Sequence, residues 1–208
     1  MDVGIAYFPK HYISDKPDAG GHFPFAIEGT VNYIFDIDNV YPFECDGNFV
    51  LAWMKSIKAY PVFFCFEVPS SSKQEYEKNC AKTSVPCHYL FESRQLAVAV
   101  TEIQTEKQFQ DIFPWLSAIW SINETILWSA NKNVFSVEQR EWTGSWEGKV
   151  TNTVVVEAGQ DTSVFWIGYG GTSIVVLSNK PQFSTYEYIC GTLPGFVHPA
   201  LWTYDNPV

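Results

Sequence analysis

The chain has 208 residues, enough for one large domain or at a stretch two small ones, and its 46% hydrophobic residues, with 8 Trp, 11 Tyr and 16 Phe, suffice for a core that needs no disulfide or metal. A formal net charge of −10 argues against nucleic-acid binding, which needs a basic face for the phosphates. Apolar runs fall far short of the ~20 residues of a membrane helix, and residues 1–10 lack the basic and apolar regions of a secretory leader, so no membrane association is expected.

Residues 3–8 read as a short strand, and the Gly-, Pro- and Asp-containing segment 14–24 as an internal loop. A second strand follows over 31–37. Phe49, Val50, Trp53, Met54 and Ile57 recur at helical spacing behind Asn48, which predicts a helix over 48–59 that stops before Pro61. Residues 62–66 are apolar on both faces, as in a central strand of a covered sheet. Ser72 and Glu75 have capping-box spacing for a polar helix ending near Lys82. Strands over 89–92 and 96–103 flank Ser93-Arg94. Thr105 and Gln108 open a helix with Phe109, Ile112, Phe113, Leu116 and Trp120 on one face, and Pro114 inside it predicts a kink or two consecutive helices.

Strands over 126–129, 134–142 and 150–157 come next. Gly170-Gly171 then separates the β-branched and aromatic stretches 164–169 and 172–177, which predicts a hairpin with a two-residue turn. Gly168-Tyr169-Gly170-Gly171 has the opening of a dinucleotide fingerprint, but that motif needs a helix after it and here strand follows strand. Ser184 and Glu187 predict a last capped helix, with Phe183 and Tyr188 as a hydrophobic staple and Gly191 as its stop. Strands and helices do not alternate regularly. The expected fold is therefore a single α+β domain over 1–208, a largely antiparallel mixed sheet with helices packed mainly on one side and a C-terminal hairpin around Gly170-Gly171.

One segment has a chemical accent. Asp36 and Asp38, two apart after the apolar Ile34-Phe35, project from one face of an extended strand end. Such a pair can share a Mg²⁺ or set a carboxylate nucleophile beside a general acid. The string resembles the first motif of the haloacid dehalogenase-like phosphatases. That resemblance, over about seven residues, implies that Asp36 attacks phosphorus, that Asp38 handles the proton, and that Mg²⁺ is the cofactor. It also implies a Ser/Thr (Thr101 or Ser70), a Lys (Lys107 or Lys132) and a late acidic pair; no such pair stands in the C-terminal half. A calcium loop starting at Asp36 fails, since its sixth position is Tyr41 and its twelfth Gly47.

The five cysteines, Cys45, Cys65, Cys80, Cys87 and Cys190, are scattered, as expected for ordinary thiols in a reduced compartment. Cys80, Cys87 and His88 could hold zinc only with a fourth ligand such as Cys45 or Cys65.

Charge is uneven. Residues 1–50 hold eight Asp and Glu against two Lys, and no Lys or Arg stands between Lys16 and Lys55, an interval that contains Glu28, Asp36, Asp38, Glu44 and Asp46. The compact 142–148 segment adds Trp142 and Trp146, a residue type favoured at interface hot spots. These features lead to a non-catalytic, acidic cytoplasmic protein that masks a basic partner protein, as immunity proteins, antitoxins and inhibitors do. Asp36, Asp38, Glu44, Asp46, Trp142 and Trp146 are its expected binding residues, with no cofactor. The alternatives are a Mg²⁺-dependent phosphohydrolase built on Asp36 and Asp38, or an aromatic-lined small-molecule-binding domain.

Overall fold

Strands form where β-branched and aromatic residues run together. Fourteen strands and four α-helices lie within residues 1–41, 48–120, 125–168 and 171–203, the parts of the chain that the computed structural model describes. In chain order the first are β1 (Asp2–Tyr7), β2 (Asp18–Ala19), β3 (Ala26–Gly29), β4 (Tyr33–Asp38), α1 (Asn48–Ser56), β5 (Val62–Pro69), α2 (Lys73–Thr83), β6 (Cys87–Glu92) and β7 (Leu96–Ile103). There follow α3 (Glu106–Trp120), β8 (Ile126–Ser129), β9 (Phe135–Glu141), β10 (Thr143–Gly144), β11 (Val150–Ala158), β12 (Ser163–Gly168), β13 (Ser173–Ser178), α4 (Tyr186–Thr192) and β14 (His198–Leu201).

Nine strands make one sheet in the order β14-β1-β4-β13-β12-β8-β5-β7-β6. Its neighbours are all antiparallel except β14, which lies parallel to β1. The fold is thus α+β with a largely antiparallel mixed sheet. Two smaller sheets complete it, β3-β11-β9 and the two-residue pair β10-β2.

Alternation along the strands sorts the core onto two faces. Phe35 and Ile37 of β4, Phe64 and Phe66 of β5, and Phe165 and Ile167 of β12 point to one face. There they meet Phe49 and Trp53 of α1, Tyr76 of α2, Phe109 and Leu116 of α3, and Ile189 of α4. Intervening residues, Ile34, Phe63, Cys65, Leu127, Trp166 and Val175, point the other way. They meet Ile27 of β3, Phe135 of β9, Val154 and Val156 of β11, and the aromatic Phe8, Phe23 and Phe25. All four helices therefore pack on one side, and a second sheet layer closes the other.

Local details depart from the sequence pattern in four places. The α2 start at Ser72 makes no side-chain cap, because its backbone is helical (φ −100°, ψ −6°) rather than extended. At α4 the cap is Thr185, whose side chain accepts from the Tyr188 amide, one residue later than expected. α3 runs as one helix through Pro114; the Trp120 side chain lies outside the described residues. Finally, β12 and β13 pair from Ser163↔Ser178 to Gly168↔Ser173, so the hairpin exists but four residues, 169–172, link it rather than two. Tyr169 and Gly170 lie outside the described residues, and Gly171 has φ +85°, the left-handed region that glycine enters without strain.

Candidate functional site

Large apolar side chains held in solvent mark interaction surfaces. Among the described residues these are Tyr7, Tyr41, Trp146, Val150, Tyr188, Phe196 and Leu201. Three of them, Tyr7, Tyr188 and Leu201, belong to the corner where the start of α4 meets the ends of β1 and β14, whereas Phe196 lies at the opposite end of β14, beside Met1. Trp146 and Val150 sit at the tip of the β9–β11 hairpin.

At the corner, β14 is fastened by backbone bonds from His198 to Met1 (2.8 Å) and from Trp202 to Ile5 (3.0 Å), and the Met1 ammonium donates to the Phe196 carbonyl at 3.0 Å. The Tyr186 hydroxyl donates to the Pro199 carbonyl at 2.9 Å. Pro199 also lacks an amide, so the outer rim of β14 is poorly suited to adding another strand. α4 is held inward by buried Ile189 and Thr192, the latter accepting from the Trp53 indole at 3.0 Å, which leaves Glu187 and Tyr188 facing out. Hydrogen bonds from its own amide and from Thr185 hold the Glu187 carboxyl below its ordinary range, so it stays charged. Tyr7 is shifted the other way, upward, first by burial of its hydroxyl and then by the nearby Glu187 charge. Between α1 and α4 lies a cleft of about 410 Å³, lined by Lys58, Gln182, Glu187 and Tyr188 among others.

At the hairpin tip, Trp142 and Trp146 pack with ring centroids 4.9 Å apart, and the Lys149 ammonium lies 4.6 Å over the Trp146 ring. The Trp142 indole donates to Thr151 at 2.7 Å, so it is spent inside the hairpin, whereas Trp146 is 43% exposed. The tip is tied down by amide bonds from Thr143 to Pro17 (2.9 Å) and Ser145 to Ala19 (3.0 Å) and by the Lys16–Glu141 ion pair. Segment 14–24 is thus a clasp on the hairpin. A smaller cleft, about 170 Å³, opens beside it between His11, Tyr12, Asp18 and His22. Tyr12 lies against both imidazoles, 4.2 Å from the His11 centroid and 3.4 Å from that of His22.

Of the sequence-predicted acids that are described, Asp36 and Asp38 lie together on one face of β4 and Glu28 lies on β3. Asp36 is buried, 3% exposed, between Ala6 of β1 and Val175 of β13. Asp38 is half-buried on the same face, opposite Gly4 and Ser173. The Trp202 indole covers Gly4 there, since a Cβ on that glycine would come within 2.5 Å of Trp202 Nε1. Glu28 is paired to Arg140, which also holds Glu138. Glu44 and Asp46 lie outside the described residues.

The structure does not bring the phosphatase-like set together. β4 lies between two antiparallel neighbours rather than in a parallel sheet. Thr101 lies on β7, five strands from β4, buried and bonded to the Tyr76 hydroxyl at 2.7 Å; Ser70 follows β5. Lys107 is paired with Asp111 and Lys132 with Glu102. Of the proposed zinc ligands, Cys80 and Cys87 pack against the same core cluster, but exposed His88 follows Cys87 on a strand and so leaves from the opposite face. Cys65 belongs to the other core face, and Cys45 lies outside the described residues. Among the described residues no group of three His, Cys, Asp or Glu side chains converges to hold a metal, and no helix is long and apolar enough to cross a membrane.

The corner residues Tyr7, Glu187, Tyr188 and Leu201 carry no motif. The outward placement of Tyr188 could be read only once α4 was known to bury Ile189 and Thr192. Compared with known proteins, the chain matches no family model, no curated protein and no solved structure.

Proposed function

We propose that this chain is a non-catalytic cytoplasmic binding protein that covers a basic partner protein, in the manner of immunity proteins, antitoxins and inhibitors. The observation that carries the reading is the α4–β14 corner, where exposed Tyr7, Tyr188 and Leu201 accompany the charged Glu187. Aromatic anchors ringed by charge are the usual makeup of a protein-binding patch. The net charge of −10, with Asp2 and Asp38 at the other end of β1 and β4, supplies the long-range attraction for a basic partner. Trp146 on its clasped hairpin offers a second aromatic anchor.

The test is capture from the native extract on the immobilised chain at low and high ionic strength, followed by on- and off-rates for the purified partner. A basic protein should be retained at low salt, and its on-rate should fall as the Debye length shrinks from about 30 Å at 0.01 M to about 8 Å at 0.15 M. Asp38→Lys and Glu187→Lys should slow association, and Tyr188→Ala and Leu201→Ala should speed dissociation. Retention of no basic protein, or an on-rate indifferent to salt and to both reversals, overturns the reading. The cleft between α1 and α4, with Tyr188, Lys58 and Glu187 on its wall, favours a small polar ligand as the second reading. Binding of such a ligand with Tyr188→Ala sensitivity, and no protein partner, would put it first.

A further inference from the structure

The sequence motif that the binding reading leaves unused is the cysteine pair at the end of α2. Cys80 occupies the last turn of that helix and Cys87 opens β6. Between them the chain reverses on Ser84, whose left-handed backbone (φ 54°) ends the helix, and the Val85 amide closes the turn on the Cys80 carbonyl at 2.9 Å. The Pro86 carbonyl then accepts from the Glu102 amide at 2.8 Å, fixing the entry to β6. This reversal brings Cys87 back beside the last turn of α2, and both cysteine side chains pack against the same core cluster. Tyr76, one helical turn before Cys80 on α2, bonds through its hydroxyl to Thr101 at 2.7 Å, and Thr101 is the cross-strand partner of Cys87.

The two thiols differ in a way that suits sequential chemistry. Cys80 is 2% exposed, whereas Cys87 is half-buried and reachable from solvent. Burial, and then the neighbouring Cys87, push the Cys80 thiol up to about 12, so it stays protonated at neutral pH. Cys65, by contrast, is fully buried on the opposite face of the sheet.

We propose that Cys80 and Cys87 form a reversible dithiol–disulfide site that is oxidised by a peroxide. The Cys87 thiolate attacks one oxygen of hydrogen peroxide, the O–O bond breaks, and Cys87 becomes a sulfenic acid as hydroxide leaves. The Cys80 sulfur then attacks the Cys87 sulfur. The S–O bond breaks, and the departing hydroxyl takes the Cys80 proton and leaves as water. The thiols lose two electrons in all and the peroxide, gaining them, ends as two waters. Reduction by a dithiol reverses the change by thiol–disulfide exchange. The bond would staple the C-terminus of α2 to the edge strand β6, beside the Tyr89 hydroxyl that now donates to Glu77 at 3.0 Å.

The test uses the folded full chain, treated with hydrogen peroxide, alkylated, and digested with trypsin without reduction. Cleavage after Lys82 separates the two cysteines, so the disulfide should make peptides 79–82 and 83–94 travel as one species, lighter than their sum by two hydrogen atoms and split by dithiothreitol. Cys80→Ser should halt at a Cys87 sulfenic acid that dimedone traps, and Cys87→Ser should leave Cys80 unoxidised. Because a short loop also closes in an unfolded chain, the same reaction in concentrated urea is the control; positioning by the fold should make the folded chain react about tenfold faster or more. Separate alkylation of Cys80 and Cys87 after oxidation overturns the proposal. So does linkage to Cys45, Cys65 or Cys190 instead, equal oxidation of Cys80 in Cys87→Ser, or an equal rate in urea.

Discussion

On one face of the nine-stranded sheet four helices press Phe49, Trp53, Tyr76 and Phe109 onto the strands; on the other, the three strands β3, β11 and β9 and the aromatic Phe8, Phe23 and Phe25 close the same sheet. The first covering is built from continuous elements, each with an apolar stripe at helical spacing. The second is gathered from distant stretches, since β3 and β11 pair in parallel across more than a hundred residues, Ala26↔Val155 to Gly29↔Ala158. The comparison teaches where the molecule is sensitive. The helical face depends on side-chain volume, whereas the sheet-covered face also depends on backbone pairings, glycines and a clasp loop that no local pattern secures.

The largest effects test whether both faces are true cores. Trp128→Ala, in the helical face, and Trp166→Ala, in the other, should each cost about 3–5 kcal/mol in denaturant unfolding, since both indoles are almost fully buried. A Trp166→Ala cost below about 1 kcal/mol would break the comparison and demote the second layer to a surface covering. Gly29 sharpens it next. Its φ is +85° and an added Cβ would meet the Ala158 carbonyl oxygen at 2.7 Å, so Gly29→Val should cost about 1–3 kcal/mol and loosen β3 from β11. Hydrogen exchange should then rise at Ile27 and Val156 while amides of β5 and β7 keep their protection.

On the helical side the matching local test is smaller. Thr185→Ala removes the cap on α4 and should cost about 1 kcal/mol, with Thr185→Ser restoring most of it. The smallest expected effect is one of pH, and it belongs to the sheet-covered face. Burial depresses His22, with His11 adding to the shift and Asp18 opposing it. Its folded value therefore lies below the ordinary 6.5, and the unfolded chain binds the proton more readily. Stability from this group is present above 6.5 and is lost as pH falls through and below it. His22→Gln should flatten the denaturation midpoint between about pH 7 and pH 5; an unchanged slope would remove His22 from the account. Trp146→Ala, on the exposed tip, should leave stability within about 0.5 kcal/mol and lower affinity for a partner.

The elements that could be read from residues alone were those with a strong period or an apolar run. The stripe Phe49, Val50, Trp53, Met54 does form α1, and the apolar run of β5 does lie centrally, between β8 and β7. Two-residue β2 and β10 have no period to detect, and β14, with Pro199 inside it, reads as loop until β1 offers it a partner. The candidate site was less legible still. Asp36 and Asp38 share a face as their spacing requires, but a strand pattern cannot say that β1 and β13 flank them and bury Asp36 to 3%.

The class of fold, the sheet's two-faced apolar strands, the main helices and the negative charge follow from the residues alone, because each rests on composition or on short-range periodicity that the backbone geometry imposes. Packing of the whole chain decided where individual acids and aromatic rings stand: Asp36 inside, Tyr188 outside, Trp142 bonded within its hairpin and Trp146 in solvent. It also decided that Cys80 and Cys87 would pack against one core cluster. Those outcomes depend on strand order and on which distant segment pairs with which, and contacts between residues far apart in the chain are set by the whole packing and not by any window of neighbours.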